Sequence, residues 1–216
     1  MAFTAFTGRE GGVSSPPFDS LNLGSHVGDN PGDVQRNREI IESMFGPTAY
    51  MNQSHSAEVV EVEFPTIVDG DALITRVPHL TLAVQVADCI PLLLEGETAV
   101  AAVHVGRRGL VNGITDKVLA EMAGEELIAH IGPSICGSCY EVGADIYHEV
   151  IERYPLAAST TSSGSLALDL AGALAAHLTL HGVAVIRDPR CTMEDRSLFS
   201  YRRDGQTGRQ VGLISL

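Results

Sequence analysis

The sequence has few basic residues, few cysteines and no long apolar run. Lysine and arginine number 14 against 27 acidic residues, so the net charge is −13 at pH 7. Such a surface repels phosphate backbones, and we expect no nucleic-acid partner. Four cysteines in 216 residues are too few for a disulfide scaffold. The longest apolar run, residues 80–94, is interrupted by Gln85, Asp88 and Pro91 and is too short and polar to cross a bilayer.

The remaining composition is that of a globular protein. Hydrophobic residues make up 44% of the chain and charged residues 19%, which is ample for a core. Composition shifts little along the chain, so we predict a single domain over 1–216. The first residues, MAFTAFTGREGG, lack a basic start followed by an apolar run, and we expect a cytoplasmic protein with reduced thiols. The sequence leaves its oligomeric state open.

Hydrophobic periodicity and end signals predict an α/β fold with a mixed sheet. The first twenty residues are predicted to be irregular, and 157–164 (AASTTSSG) to be a surface loop. Residues 199–216 are predicted to be extended pieces joined by turns. Helices are predicted over about 31–44, 109–122, 144–154 and 170–181, and strands over 58–64, 72–75, 80–86, 99–105, 127–131 and 183–186.

A predicted hairpin places two metal-ligating residue types close together. Apolar residues 92–94 and 99–104 flank Glu-Gly-Glu-Thr, and glycine at the first central position favours a two-residue turn with Gly96 and Glu97 at its tip. In that register Cys89 pairs directly with His104, with Cβ atoms about 4.5–5.5 Å apart. Pro91 weakens this inference, because proline implies an edge or a bulge, and a bulge shifts the register.

A thiolate together with an imidazole selects zinc or copper over magnesium or calcium. The third ligand that we consider is His55, in the polar segment before the strand predicted from Glu58. The alternatives are that Cys89 is a small buried hydrophobe and that each histidine only satisfies a hydrogen bond.

Ordered sequence blocks along nearly the whole chain carry a family resemblance. The blocks are GREGGVS (8–14), SLNLGSHVGDNPGDVQRNR (20–38), NQSHSAEVVEV (52–62), DALITR (71–76), ADCIPLLL (87–94), AAVHVGRRGL (101–110), IGP (131–133), CYEVG (139–143) and FSYRRDGQTGRQVGLI (199–214). In these blocks the chain resembles the YfiH-like family, long labelled multicopper polyphenol oxidase (laccase) and also described as purine nucleoside phosphorylases. The resemblance implies a four-layer α/β/β/α fold with mixed sheets, shared with the catalytic domain of cytotoxic necrotizing factor, a deamidating toxin.

The resemblance also implies the metal ligands. The histidine of Q-x-H, the cysteine of D-C and the histidine of H-x-G-x-R-G fall on His55, Cys89 and His104, which are implied to hold one zinc ion. The chain departs from the family where Arg107 replaces the usual tryptophan, and where Ser54 and Ser56 replace valine and glycine. These departures bear on the pocket wall and on substrate preference, and they leave the ligands in place.

Three protein ligands leave one coordination position open, which is typical of a catalytic zinc. The activities that the resemblance implies are phosphorolysis of adenosine, inosine, guanosine or methylthioadenosine, and deamination of adenosine.

Phosphorolysis needs positively charged side chains to bind phosphate. Arg108 follows a strand at a predicted helix start, where backbone N–H groups bind anions, and Arg9 is a second candidate; either could be a solvated surface charge. Asp88 could act as general base or orient a ligand, although strand alternation turns it away from Cys89.

Three alternatives remain. A multicopper oxidase needs roughly ten histidines, largely in H-x-H pairs, and this chain has eight and no such pair. A hydrolase, acting on an amide or a peptidoglycan precursor, could use Cys89 as nucleophile and His104 as base. A metal-binding partner protein without catalysis is the third.

Other features are weaker signals of a functional site. They are the C-x-x-C of Cys136 and Cys139, the pair His177 and His181 on a predicted helix, and the block Tyr201, Arg202 and Arg203.

Overall fold

Two mixed sheets packed face to face form the centre of the molecule. The structure, a computed structural model, describes residues 2–216. Its strands are β1 (Phe3–Phe6), β2 (Thr48–Asn52), β3 (Val59–Glu61), β4 (Ile67–Asp69), β5 (Ala72–Thr75), β6 (Thr81–Val86), β7 (Ile90–Glu95), β8 (Val100–Val105), β9 (Ile128–Ile131), β10 (Ala158–Thr160), β11 (Leu166–Leu168), β12 (Ala184–Arg187) and β13 (Gln210–Ser215). Its helices are α1 (Pro31–Phe45), α2 (Arg107–Val111), α3 (Ile114–Glu121), α4 (Ala144–Arg153), α5 (Leu170–Leu180) and α6 (Tyr201–Asp204), with a 3-10 turn at Pro155–Ala157.

The positions of the apolar clusters between sheets and helices define the layers of the fold. A five-stranded sheet has the order β1-β13-β6-β2-β4, and a six-stranded sheet has the order β12-β9-β7-β8-β5-β3. One apolar cluster lies between the two sheets, a second lies between the six-stranded sheet and helices α2 to α5, and a third lies under α1 on the five-stranded sheet. This arrangement confirms the mixed α/β fold and its four layers, α/β/β/α.

Strand β7 shows why these residues form a central strand. Leu92 and Leu94 pack toward the helices, whereas Leu93, on the opposite face, packs between the sheets, and all three are fully buried. A strand covered on both faces reads as a continuous apolar run. Each such leucine contributes about 1.5–3 kcal/mol by leaving water.

Helix ends match the predicted signals at some places and differ at others. At α1, which begins where the sequence predicted a helix, the Asn30 side chain accepts from the Gly32 N–H and Pro31 occupies the first turn. The helix predicted over 109–122 is instead two helices, because Gly113 adopts φ 76°, a left-handed conformation that interrupts the helix.

Segments predicted to be irregular contain strands. Residues 3–6 form β1, which pairs antiparallel with β13, with Phe3 opposite Ser215. The predicted loop 157–164 begins with the 3-10 turn and continues into β10, which pairs with β11. Local patterns missed β1 because its partner β13 lies at the other end of the sequence, whereas β10 is ordered by a hairpin with the nearby β11. None of the helices in residues 2–216 is both long and apolar enough to traverse a bilayer.

Candidate metal centre

Three side chains from separate segments converge at one end of the two sheets. His55 follows β2, Cys89 precedes β7, and His104 lies near the end of β8. Their ligand atoms all lie within 4.8 Å of one another, and the distance from Cys89 Sγ to His55 Nε2 is 3.8 Å. The two imidazole rings meet edge to face, with centroids 4.7 Å apart. The structure therefore brings together the three residues that the sequence singled out.

The hairpin register that first suggested this pair is wrong by two residues. Pro91, not Cys89, pairs with His104. The Gly96 N–H donates to the Ala99 carbonyl at 3.0 Å, so Glu97 and Thr98 form the tip. Pro91 also lies inside the sheet rather than at its edge, one residue before the pairing with β9 begins at Leu92. Cys89 still reaches His104, because the chain turns sharply at Asp88, which has φ 97°.

Gly106 provides the space in which the three side chains meet. A Cβ atom at this position would lie 2.8 Å from His55 Cδ2 and 3.1 Å from Cys89 Sγ. Both distances are shorter than ordinary van der Waals contact. Any residue other than glycine would push the ligands apart.

Asp71, which the sequence argument did not select, organises two of the three ligands. Its fully buried carboxylate accepts from His104 Nδ1 at 2.7 Å and from the His55 backbone N–H at 3.0 Å. It also accepts from the backbone N–H and the hydroxyl of Ser56, both at 2.7 Å, so this departure from the family pattern adds a hydrogen bond that glycine lacks. The DALITR block contains Asp71, but nothing in its spacing indicated a partner 33 residues away.

The pKa values of the site favour charged forms. Burial alone would raise the pKa of Asp71, but the hydrogen bonds from His104 and Ser56 hold it well below its usual range. Burial would likewise raise the pKa of Cys89, but the nearby charge of His104 and hydrogen bonds from both histidines lower it to about 6. Burial opposes the charged form of His104, but the Cys89 thiolate and Asp71 raise its pKa to about 9. A metal cation bound between the Cys89 thiolate and the His104 imidazole would replace the proton that His104 carries next to the thiolate.

This donor set fits a metal ion. One thiolate and two imidazoles are ligands that zinc accepts. The hydrogen bond from His104 Nδ1 to Asp71 leaves Nε2 free on the side of the sulfur, as in the carboxylate–histidine pairs that orient metal ligands. The residues thus satisfy both the ligand chemistry and the outer hydrogen bonding of a three-ligand site.

A cavity of about 400 Å³ opens beside these side chains. Its volume is in the range of small-molecule sites. A larger groove of about 560 Å³ lies elsewhere, between α3 and the end of α5, and contains none of the three ligands. The smaller cavity is lined by His26, Gln53, His55, Gln85, Val86, Ala87, Asp88, Cys89, His104, Ile135, Tyr140, Tyr201, Arg202 and Arg209.

Asp88 lines this cavity, but its carboxylate already accepts three hydrogen bonds. The donors are the Thr192 hydroxyl at 2.7 Å, the Ser200 hydroxyl at 2.6 Å and the Arg202 backbone N–H at 2.6 Å. All three donors are groups of the protein, so this carboxylate is already engaged in holding the chain. The contacts indicate that Asp88 anchors the chain from Thr192 to Arg202 against the site.

The two arginines predicted to bind phosphate lie outside this lining. Arg108 is exposed on the five-residue helix α2. Arg9 pairs with Asp19 at 3.1 Å and stacks over Phe199, 5.0 Å from the ring centre. Arg107 lies next to the site: it pairs with Glu149 at 2.5 Å and lines a small adjoining cavity of about 60 Å³.

Other cationic and polar groups, which the sequence argument did not select, line the cavity instead. Arg209 donates to the carbonyls of Thr207 and Gly208, and within residues 2–216 no carboxylate lies within 4.0 Å of its guanidinium. Burial lowers the pKa of Arg209, and Cys89 and Asp88 act in the opposite direction. Gln85 Oε1 is a buried acceptor without a hydrogen-bond partner among the described residues. Arg209 lies in the RRDGQTGRQ block, where three arginines and two glutamines gave no basis for choosing one.

The paired histidines His177 and His181 form a different cluster with Asp116. Asp116 accepts from His177 Nε2 at 2.6 Å and also from Arg153 at 3.0 Å, while His181 Nδ1 contacts the His177 carbonyl. The arginine neutralises the carboxylate that a cation would need, so this cluster is explained as an ion-pair network.

Comparison with known proteins identifies the relatives of this chain. A family model described as multi-copper polyphenol oxidoreductase laccase matches residues 3–216. A protein of Corynebacterium glutamicum named purine nucleoside phosphorylase is 43% identical over 98% of this chain and 93% of its own length. A protein of Streptomyces coelicolor with the same name is 40% identical over 100% of this chain and 96% of its own length.

Solved structures share the fold at high similarity. The Neisseria meningitidis protein NMB0706, described as DUF152, superposes with a TM-score of 0.92 at 40% identity, covering 100% of this chain and 94% of that one. A hypothetical protein YfiH of Bacillus licheniformis superposes with a TM-score of 0.89 at 29% identity, covering 100% and 92%.

Proposed function

This chain belongs to the YfiH/DUF152 family, whose model is described as multi-copper polyphenol oxidoreductase laccase, and we propose that it is a zinc-dependent purine nucleoside phosphorylase. The observation that carries the proposal is the convergence of His55, Cys89 and His104 beside a cavity of about 400 Å³. The relatives named purine nucleoside phosphorylase at about 40% identity support it. The four free thiols suit the cytoplasmic location that we also propose.

Zinc is the metal that we propose for His55, Cys89 and His104. A bound zinc ion would act there as a Lewis acid beside the reacting nucleoside. The family description names copper, but the eight histidines lie at scattered positions, and within residues 2–216 this is the one potential metal cluster that combines cysteine with histidine. A multicopper centre needs more imidazoles than one such cluster supplies.

Phosphate binding is assigned to Arg209, with Arg202 beside it. Both line the cavity, and within residues 2–216 neither guanidinium has a carboxylate within 4.0 Å. Arg202 donates to the Glu141 carbonyl at 3.0 Å and lies over the Tyr140 ring at 5.2 Å, which fixes its direction. A guanidinium held by neutral carbonyls keeps its full charge for an anion. Arg9 and Arg108, which the sequence suggested for phosphate, lie outside the cavity lining, whereas Arg209 and Arg202 would hold phosphate inside it.

The nucleoside would pack against the apolar part of the lining. Val86, Ile135 and Tyr140 offer an apolar and aromatic wall for the purine. Gln85 Oε1 is available to accept from an amino or hydroxyl group of the nucleoside, which satisfies a buried acceptor.

The reaction follows from this arrangement. A phosphate oxygen attacks C1′ of the ribose, the C1′–N9 bond breaks, and its electron pair stays on the purine, which takes up a proton. Arg209 and Arg202 would hold the phosphate against the ribose, which makes the attack effectively intramolecular.

A nucleoside panel tests the proposal. Adenosine, inosine, guanosine and methylthioadenosine are incubated with and without phosphate, and free base, ribose 1-phosphate and ammonia are measured. We expect base release that requires phosphate, and, because we also propose adenosine deaminase activity, ammonia from adenosine. Absence of phosphate-dependent base release from all four nucleosides contradicts the proposal.

Two arginine variants locate the phosphate site. Arg209→Gln removes a charge-assisted hydrogen bond worth about 1.5–3 kcal/mol, so the KM for phosphate should rise about 10- to 100-fold. Arg108→Gln tests the position that the sequence suggested. An effect confined to Arg108→Gln would place phosphate at α2 instead.

A second candidate is a Cys–His hydrolase acting on an amide. It is favoured by the lowered pKa of the Cys89 thiol, about 6, together with the His104–Asp71 hydrogen bond, which resembles a nucleophile–base–carboxylate set. Metal-free protein that is alkylated rapidly at Cys89 and hydrolyses amides would support this candidate. Activity lost on removal of the metal would exclude it.

A further inference from the structure

A second group of sulfur ligands lies about the loops that follow β9 and β12. Cys136, Cys139 and Cys191 have their sulfur atoms within 4.8 Å of one another, and all three are free thiols. Cys191 lies far beyond the C-x-x-C pair in sequence, so the sequence pattern alone gave only two ligands. None of the three belongs to the cavity lining of the candidate metal centre.

The backbone, rather than chance packing, sets these sulfur atoms together. Ser134 and Cys191 form a parallel β-bridge, and the Thr192 N–H donates to the Ser134 carbonyl at 3.2 Å. The Cys136 N–H points at Cys191 Sγ at 3.3 Å, and the Cys139 N–H donates to the Cys136 carbonyl at 3.0 Å. The C-x-x-C turn therefore presents two sulfurs on the side where the third already lies.

Glu194, beside Cys139, is the candidate fourth ligand, and its carboxylate must turn toward the other two sulfurs to join the group that the three cysteines form. Glu194 Oε1 lies 3.6 Å from Cys139 Sγ. With Zn–S near 2.3 Å and Zn–O near 2.0 Å, a tetrahedral site requires about 3.8 Å between sulfurs and about 3.5 Å from sulfur to oxygen. The sulfur–sulfur distances in the structure are at most 4.8 Å, so each must shorten by at most about 1 Å to reach the distance that zinc requires.

We propose that Cys136, Cys139, Cys191 and Glu194 form a second, structural zinc site. With Glu194 turned toward the sulfurs, three thiolates and one carboxylate would complete a four-ligand set without an open position, which is the pattern of a structural rather than a catalytic zinc. Soft thiolate ligands select zinc over magnesium and calcium.

The position of this site gives it a role in the fold. It joins the loop that carries Ile135 and Tyr140 to the loop that carries Thr192 and Ser200, the partners of Asp88. The first loop forms a wall of the cavity described above, and the second holds Asp88, which lines the same cavity. A metal at the cysteines would hold that wall together without touching the substrate, so these residues are positioning residues.

Metal content separates the two sites. Zinc is measured in protein purified under reducing conditions from the wild-type chain, Cys89→Ala, Cys139→Ser and the double variant. If both sites bind, the counts should be about two, one, one and zero ions per chain. His181→Ala, in the ion-pair network of α5, is the matched control and should keep the wild-type count.

Cobalt substitution identifies the ligands from the absorption of the intact cluster. In the Cys89→Ala chain the cluster is intact, and bound cobalt should show thiolate charge-transfer bands about three times as intense as those of Cys139→Ser, where one thiolate remains at the first site. If zinc were absent from His55, Cys89 and His104, the wild-type chain would hold one ion and Cys139→Ser none. The second site is thus tested independently of the proposed function.

Two results would overturn the second site. One is a Cys89→Ala protein, folded by circular dichroism, that binds neither zinc nor cobalt. The other is a Cys136–Cys191 or Cys136–Cys139 disulfide found by mass spectrometry in protein purified with zinc present, because a disulfide consumes the thiolates that the metal needs.

Discussion

The carboxylate of Asp71 and the imidazole of His104 form the contact on which the candidate metal centre depends. The distance from Asp71 Oδ1 to His104 Nδ1 is 2.7 Å, and both side chains are almost completely buried. The same oxygen accepts from the His55 N–H at 3.0 Å. One residue therefore fixes the ring orientation of one ligand and the backbone of another.

Replacing Asp71 by asparagine should weaken metal binding. The Asp71→Asn side chain would keep the shape but not the charge, and loss of such an outer partner typically costs about 10- to 100-fold in metal affinity. Competition with a chromophoric chelator measures the affinity. Asp69→Asn, at an exposed aspartate two residues away that bonds Asn52 at 2.9 Å, is the control. Equal affinities in Asp71→Asn and Asp69→Asn would mean that Asp71 does not act on the metal ligands.

Gly106→Ala should separate the ligands. The added Cβ would lie 2.8 Å from His55 Cδ2, and a displacement of about 1 Å at a reacting centre costs about 100-fold in turnover. Turnover and metal content are compared with those of Gly143→Ala, where a Cβ meets nothing within 4 Å. Wild-type turnover in Gly106→Ala would show that the site tolerates the clash.

Asp88→Ala should destabilise the chain rather than remove a proton acceptor. It leaves two hydroxyls and a backbone N–H without their partner, at a cost of about 2–3 kcal/mol. For a chain of this size that lowers Tm by roughly 5–10 °C. Calorimetry on Asp88→Ala and on Glu63→Ala, an exposed carboxylate, measures the difference. A pH–rate profile that loses its acidic limb without any change in Tm would instead make Asp88 a general base.

The hairpin tip predicts a pH-dependent contribution to stability. Hydrogen bonds from the Thr98 hydroxyl, the Thr98 N–H and the Glu97 N–H lower the pKa of Glu125. A carboxylate with a depressed pKa stabilises the fold above its unfolded pKa of about 4.3, and this contribution is lost as pH falls through the folded pKa. Glu125→Gln should therefore lower Tm at pH 7 and have less effect at acidic pH. Glu126→Gln, at the neighbouring carboxylate, is the matched control, and an equal loss at all pH values in Glu125→Gln would contradict the account.

Much of the fold could be predicted from sequence because its elements carry local signals. Buried strands such as β7 and β8 read as apolar runs, and α1 begins at an Asn-Pro pair and ends at Gly46. Strand β1 carries no such signal, because its order comes from pairing with β13 at the other end of the chain. Gly113 divides a helix that periodicity made continuous.

Some residues of the candidate metal centre could likewise be predicted from the sequence, and others could not. His55, Cys89 and His104 could be selected from residue chemistry and family blocks, although the hairpin register used for the pair was wrong. The register could not be predicted because Glu125, 28 residues from Glu97, caps the tip and sets which residues turn. Asp71 and Cys191 were missed for a similar reason, because each acts through a partner that is distant in sequence, whereas nothing distinguished Arg209 from the other arginines of its block.

The most direct test of the central claim is the Cys89→Ala variant, measured for metal content and for phosphate-dependent release of purine base in the same preparation. We predict that this variant loses the metal ion of the His55–Cys89–His104 site and releases neither base nor ammonia, while its circular dichroism matches that of the wild-type chain. Base release at the wild-type rate by Cys89→Ala would remove the metal from the mechanism and contradict the account.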